Sequence, residues 1–202
     1  MAGTTRAGRG GAIGAQPASF QTALVVIDMI SCWDFPDADR LLPRAAQVAR
    51  PIARLARRCR GAGVPVIYAN DNRGRWRSDM QGLIDLSLSA GGRGAAITRE
   101  LLPEEQDYVV LKPKHSIFHH TPMPLLLEHL RARRLILTGV ASDQCILTSV
   151  SEARMRELEA VVPADCSAAQ TPRRHAVLLD QLRHVWKVRT TASRRLPLDA
   201  RR

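Results

Sequence analysis

The strongest constraint on this chain is an alternation. Short apolar runs of strand length alternate with longer segments whose apolar residues recur every three or four positions. The run 22-TALVVID-28 is apolar up to its terminal acid. Behind it, residues 39–63 carry Leu41, Ala45, Val48, Ile52, Leu55 and Cys59 at helical steps, closed by Gly61 and Gly63. The same reading predicts strands at 64–70, 107–112, 134–139 and 158–165, with a short last strand near 185–188. Helices are predicted at 122–132, 142–157 and 172–184, and residues 71–106 hold short helical pieces around the Gly-rich turn 91–94. Strands without a polar side are covered on both faces. The alternation therefore predicts an α/β fold: three-layer and Rossmann-like, with an about six-stranded, mostly parallel sheet and helices on both faces.

The apolar pattern begins near residue 20 and fades near 190, giving one domain over 20–190 between a Gly-, Ala- and Arg-rich segment 1–19, read as disordered, and a basic tail 191–202. The net charge is +11, and Lys stands only at 112, 114 and 187, so the excess is arginine. These arginines are scattered over helix faces and tails, with no basic run interleaved with aromatics as a stacking platform requires. Nucleic acid is thus the less favoured partner. A catalytically silent, Arg-rich protein binding nucleic acid or an acidic partner stands as the alternative to an enzyme. Cysteines stand at 32, 59, 145 and 166, none in a C-x-x-C pair, which argues against a zinc knuckle and for reduced thiols in a cytoplasmic protein. No apolar run reaches the ~20 residues of a membrane span.

In a parallel sheet, ligands bind at the carboxyl ends of the strands, near the point where strand order reverses. Asp28 ends the first strand, Asp71 and Asn72 follow the second, Lys112 ends the third, and Cys145 lies just past the fourth. Each alone has a bland account: a turn-forming acid, a solvated lysine, a small buried thiol. Their joint placement behind separate strands points to chemistry. Ser142 is a plausible N-cap, which sets Cys145 in the first turn of a helix. Free N–H groups and the helix dipole there predict a lowered thiol pKa and a place for an oxyanion. Asp28 is positioned to take the thiol proton and return it to a leaving group.

At these residues the sequence resembles the isochorismatase-like cysteine hydrolases, the superfamily of nicotinamidases and N-carbamoylsarcosine amidases. The matching segments are 24-LVVIDM-29, 109-VVLKPKHSIF-118, 135-LILTGVASDQCILTSVSEA-153 and 160-AVVPADCSA-168. The segment 68-YANDNRGRWRSD-79 resembles a subgroup with an N-D-N-x-G-x-W-R-S-D signature. The resemblance implies a catalytic triad of Asp28, Lys112 and Cys145, with Lys112 rather than Lys114 because the family's lysine stands four residues before a serine, here Ser116. It also implies a cis peptide at Val140–Ala141 and an oxyanion hole from the N–H groups of Ala141 and Cys145. The implied reaction cleaves a C–N bond of a small amide, carbamoyl or ureido substrate through a thioester acyl-enzyme. A homo-oligomer is implied as well. The chain departs from the family at 31-SCW-33, where Asn-Asp-Phe is common, so the usual pocket wall is altered and Cys32 becomes a second thiol near the rim.

No metal or other cofactor is expected. The stretch that carries a D-x-H metal motif in nicotinamidases reads Asp71-Asn72-Arg73 here, and His115, His119 and His120 are too close in sequence to converge on most backbones. Trp33, Asn72, Trp76 and Phe118 are the candidate substrate contacts. Core packing or a subunit interface accounts for the three aromatics equally well. Arg75 or Arg77 is a candidate partner for a substrate carboxylate, or a solvated loop residue.

Overall fold

The structure is a computed structural model that describes residues 21–74, 76–77 and 79–198. The expected disordered segment 1–19, the candidate Arg75 and the end of the basic tail lie outside the described residues. Strand β1 (Gln21–Ile27) opens the fold, followed by α1 (Ala38–Gly61), β2 (Val66–Asp71), α2 (Met80–Ala90), α3 (Gly92–Glu100) and β3 (Tyr108–Lys112). The second half runs α4 (Met123–His129), β4 (Ala132–Val140), a π-turn over Ser142–Ile146, α5 (Leu147–Met155), β5 (Glu159–Val161), β6 (Ser167–Ala168) and α6 (Pro172–His184). The sheet order is β3-β2-β1-β4-β5, with β6 paired to β4, and every recorded pairing is parallel.

Side chains alternate across a strand, so β1 divides its apolar residues between the two faces. Leu24 and Val26 join one core with α1, α2 and α3, which brings Leu41, Ile52, Leu83 and Ile97. Ala23, Val25 and Ile27 join the other, where α4, α5 and α6 supply Leu127, Val150 and Leu182. Each fully buried Leu, Ile or Val contributes about 1.5–3 kcal/mol of apolar burial. A central strand that feeds two cores thus explains the three-layer architecture.

The order also fixes where a site can form. The chain leaves β1 toward β2 and β3 on one side, then returns to β4 on the other, so the order reverses between β1 and β4. Gly139 holds these strands at close range. It pairs with Ile27, has φ of 105°, and an added Cβ would lie 2.0 Å from the Ile27 carbonyl oxygen. Only glycine fits there.

Two segments differ from the sequence reading. Residues 185–188 are not a strand: the N–H groups of Val185 and Trp186 both donate to the Gln181 carbonyl, prolonging the end of α6. The sixth strand is 167–168 instead, and near the expected position only Arg189 makes an isolated bridge, to Val161. Residues 191–198, placed by the sequence with the basic tail, pack against the domain. Asp165 accepts from the Ser193 N–H and hydroxyl at 2.7 and 2.8 Å, and Arg58 donates to the carbonyls of Ser193 and Leu196. Arginines that looked like surface charge also tie the fold together, Arg60 pairing with Glu104 and Asp107. Among the described residues, no helix is long and apolar enough to cross a membrane.

Candidate active site

β1 delivers Asp28 to the carboxyl rim, where the residue turns out of the strand at φ of 54°. Its backbone N–H donates to Ala69 on β2, and its Oδ1 accepts from the Asp71 N–H at 2.7 Å. Its Oδ2 lies 2.8 Å from Lys112 Nζ. Lys112 is the last residue of β3 and is fully buried. Its ammonium has three protons and three partners: Asp28 Oδ2, the Lys114 carbonyl at 3.2 Å and Cys145 Sγ at 3.7 Å. The structure therefore brings the three residues of the expected triad together.

Charge and burial oppose each other here. Burial alone would strip the proton from Lys112, but Asp28 and Cys145 beside it hold its pKa above the usual lysine value. The Cys145 thiol is pushed well up, first by burial and then by the Asp28 carboxylate; Lys112 only partly offsets this. The sequence predicted a lowered thiol pKa from the helix N-terminus. That expectation is corrected: burial and the neighbouring carboxylate raise the thiol pKa.

The helix start differs from the expected one as well. Ser142 is not the cap. Its hydroxyl pairs with His175 Nδ1 at 3.0 Å, and the turn begins after Ala141. The Ala141 carbonyl accepts from Gln144 N–H at 3.1 Å and Ile146 N–H at 3.3 Å. Among the backbone bonds described to that carbonyl, Cys145 is stepped over. A π-turn thus takes the cysteine N–H out of the regular ladder, as such turns do at many functional sites. The Val140–Ala141 peptide is cis. Ser149 ties Cys145 to the loop after β3: its hydroxyl donates to the Cys145 carbonyl at 2.6 Å and accepts from the Ile117 N–H at 3.2 Å.

Asp28, Ala141 and Cys145 line a cavity of about 560 Å³, within the usual range for small-molecule sites. The four candidate substrate contacts do not line it. Trp33 is buried against α3, with its ring over Gly94, where an added Cβ would lie 2.5 Å from Cδ1. Phe118 belongs to the core under β3 and carries Arg156 over its ring. Asn72 is buried, and its Oδ1 accepts from the Gly74 N–H, shaping a turn. Trp76 is 80% exposed. Arg77 is exposed.

Other residues form the wall instead, among them Asn70, Arg73, His115, Gln170 and Arg174. Asn70 is the informative one. Its Nδ2 donates to the Ile30 carbonyl at 2.6 Å, which fixes the amide orientation and leaves Oδ1 without a partner in a buried position. The Gln170 Oε1 is likewise buried and unpartnered. Unpaired buried acceptors are costly unless something supplies a donor. Arg73 is paired with Asp34 and Arg174 with Asp143, so neither is a free anion clamp. The sequence reading passed over Asn70 and Gln170 as pocket residues. Asn70 is the last strand position before Asp71, and Gln170 follows β6 at the same rim, so a rule that counts rim positions would have found both. Among the described residues, no three His, Cys, Asp or Glu side chains cluster as metal ligands. His119 and His120 face each other edge to plane, and both are exposed.

Known proteins share this chain's pattern. The isochorismatase domain family matches residues 22–193. The isochorismatase family protein YaaI of Bacillus subtilis is 31% identical over 163 residues, covering 81% of this chain and 89% of that protein. The ureidoacrylate amidohydrolase RutB of an Enterobacter strain is 34% identical over 98 residues, covering 48% of this chain and 41% of that protein. Among solved structures, an N-carbamoylsarcosine amidase from Thermoplasma acidophilum superposes with a TM-score of 0.65 at 24% identity, covering 88% of this chain and 99% of that one. That likeness speaks to the fold.

Proposed function

Because the chain belongs to the isochorismatase family, we propose that it is a cysteine hydrolase cleaving the C–N bond of a small amide, carbamoyl or ureido compound. One observation carries the reading: a fully buried ammonium, Lys112, bridges the Asp28 carboxylate and the Cys145 sulfur at a cavity wall. A buried lysine without catalytic use is an expensive way to fill space. The names of two similar proteins, a ureidoacrylate amidohydrolase and an N-carbamoylsarcosine amidase, support this class of substrate.

The resting thiol must lose its proton as it attacks. Asp28 takes that proton while sulfur forms a bond to the carbonyl carbon. Lys112 keeps the negative charge in place, first on the carboxylate and then on the sulfur. The N–H groups of Ala141 and Cys145 hold the oxyanion. Asp28 returns its proton to the leaving amine, and a water activated by Asp28 then cleaves the thioester. Asn70 Oδ1 and Gln170 Oε1 offer acceptors to the N–H groups of a carbamoyl or ureido group. Trp76, exposed beside the rim, fits a contact in a homo-oligomer, which sedimentation of the parent and Trp76→Ser proteins tests.

The direct test is a panel of small amides, carbamoyl and ureido compounds assayed for release of ammonia or amine. At least one should turn over with the parent protein and none with Cys145→Ser. Turnover of a panel member at the parent rate by Cys145→Ala refutes covalent catalysis.

A further inference from the structure

The Cys145 sulfur has one more neighbour than the triad accounts for. His115, on the loop that follows β3, places Nδ1 3.7 Å from Sγ and lines the same cavity. Its role follows from counting protons. Lys112 donates to the sulfur. In the attack proposed above the thiol proton leaves for Asp28, so the sulfur that forms the new bond has only lone pairs to offer its other neighbours. Nδ1 of His115 therefore meets a sulfur lone pair. The contact is attractive only in the tautomer or charge state that carries a proton on Nδ1.

We propose that His115 is a further catalytic residue, donating its Nδ1–H to the Cys145 sulfur and holding the thiolate that forms during attack and during thioester cleavage. This rests on the reading of Cys145 as nucleophile. In the attack, the S–H bond breaks and its proton goes to the Asp28 carboxylate. The sulfur electron pair forms the S–C bond, and the carbonyl π pair moves to oxygen. In deacylation, the S–C pair returns to sulfur, and Asp28 gives the proton back. His115 transfers no proton in either step. A hydrogen bond to a charged acceptor is stronger than one to a neutral acceptor, so the contact favours the thiolate-like states over the resting thiol. The other charged groups on the cavity wall are Asp28, Asp37, Asp71, Arg73 and Arg174. Asp28 is paired with Lys112 and the two arginines with Asp34 and Asp143.

His115 is exposed, so replacing it removes no core packing. The test uses the full chain in a Cys32→Ser background, because Cys59 and Cys166 are buried away from the cavity that Cys145 lines. Alkylation of Cys145 by chloroacetamide is followed by intact mass at pH 7.5. His115→Asn and His115→Leu are matched in size and leave equal access to the sulfur, but only Asn keeps an N–H near the position of Nδ1. The expected result is an Asn variant within about threefold of the parent and a Leu variant about tenfold slower. Equal rates in the two variants overturn the proposal, whether both are fast or both slow. The underlying reading is scored separately: amide turnover retained by Cys145→Ala removes the nucleophile, while the His115 pair bears only on the donor.

Discussion

At the carboxyl end of the sheet, Lys112 is fully buried and its partner Asp28 is 17% exposed; at the amino end, Arg134 meets Glu159, a carboxylate 56% exposed. Both pairs join strand ends by opposite charges, Arg134 and Glu159 on adjacent strands, Asp28 and Lys112 across the intervening β2. In the amino-end pair the Arg134 side chain is 11% exposed but the Glu159 carboxylate keeps its water, which screens the pair and limits its worth. The carboxyl-end pair has given up most of its water. Its charges are held by each other, by the Asp71 N–H, by the Lys114 carbonyl and by sulfur. The difference separates an ion pair that decorates a fold from one the fold must be built around. Both stand at cavities, but among the described residues it is the second that has a nucleophile within reach.

The comparison breaks most sharply at Lys112. Lys112→Met leaves Asp28 beside a hydrocarbon, so urea unfolding should show a loss of about 3–5 kcal/mol, with amide turnover lost. A stability change below about 1 kcal/mol would place this pair in the same class as the amino-end one. Next comes Gly139→Ala, which drives a Cβ into the Ile27 carbonyl and should cost about 3 kcal/mol by the same measurement. A milder effect shows that β1 and β4 can part without disturbing the rim. Ser149→Ala removes the hydroxyl shared by the Cys145 carbonyl and the Ile117 N–H, for about 1–2 kcal/mol and a slower turnover.

Alkaline pH tests the burial itself. The thiols of Cys59 and Cys166 are pushed up to about 12 by burial, and that of Cys145 is raised too. Unfolded thiols ionise from about pH 8.5. Above that point the unfolded chain releases protons that the folded chain keeps, so stability falls as pH rises. The melting temperature should be flat to about pH 8 and decline steadily toward pH 10, with a shallower decline in Cys59→Ala. The smallest effect belongs to the amino end: Glu159→Gln should change stability by less than about 1 kcal/mol, and less still in high salt.

The meeting of residues at the rim was legible in the sequence because strands are addresses. A residue at the end of an apolar run has its place fixed by the sheet, and Asp28, Lys112 and Cys145 all sit at or just past such ends. The alternation of strand and helix was readable for the same reason, since β1 and β4 feed cores on both faces. Loop side chains carry no such address. Trp33 turns away from the rim because Gly94, about sixty residues later, leaves room for its ring. Phe118 turns under β3, and Trp76 turns outward. The thiol pKa was misread for a different reason. A helix start shows in the sequence, but the depth of the sulfur and the closeness of Asp28 do not. Residues 185–188 read as a strand by composition, yet the N–H groups of Val185 and Trp186 turn back to the Gln181 carbonyl at the end of α6.

The central claim is that Lys112 and Asp28 make the Cys145 sulfur the atom that takes the acyl group. Rapid quenching of the parent chain with a turning-over amide, followed by mass analysis of the peptide that contains Cys145, measures this directly. The account predicts a transient mass increase equal to the acyl group on Cys145, absent in Cys145→Ala along with turnover. Undiminished turnover by Cys145→Ala, with no adduct on the parent at any time, would contradict it.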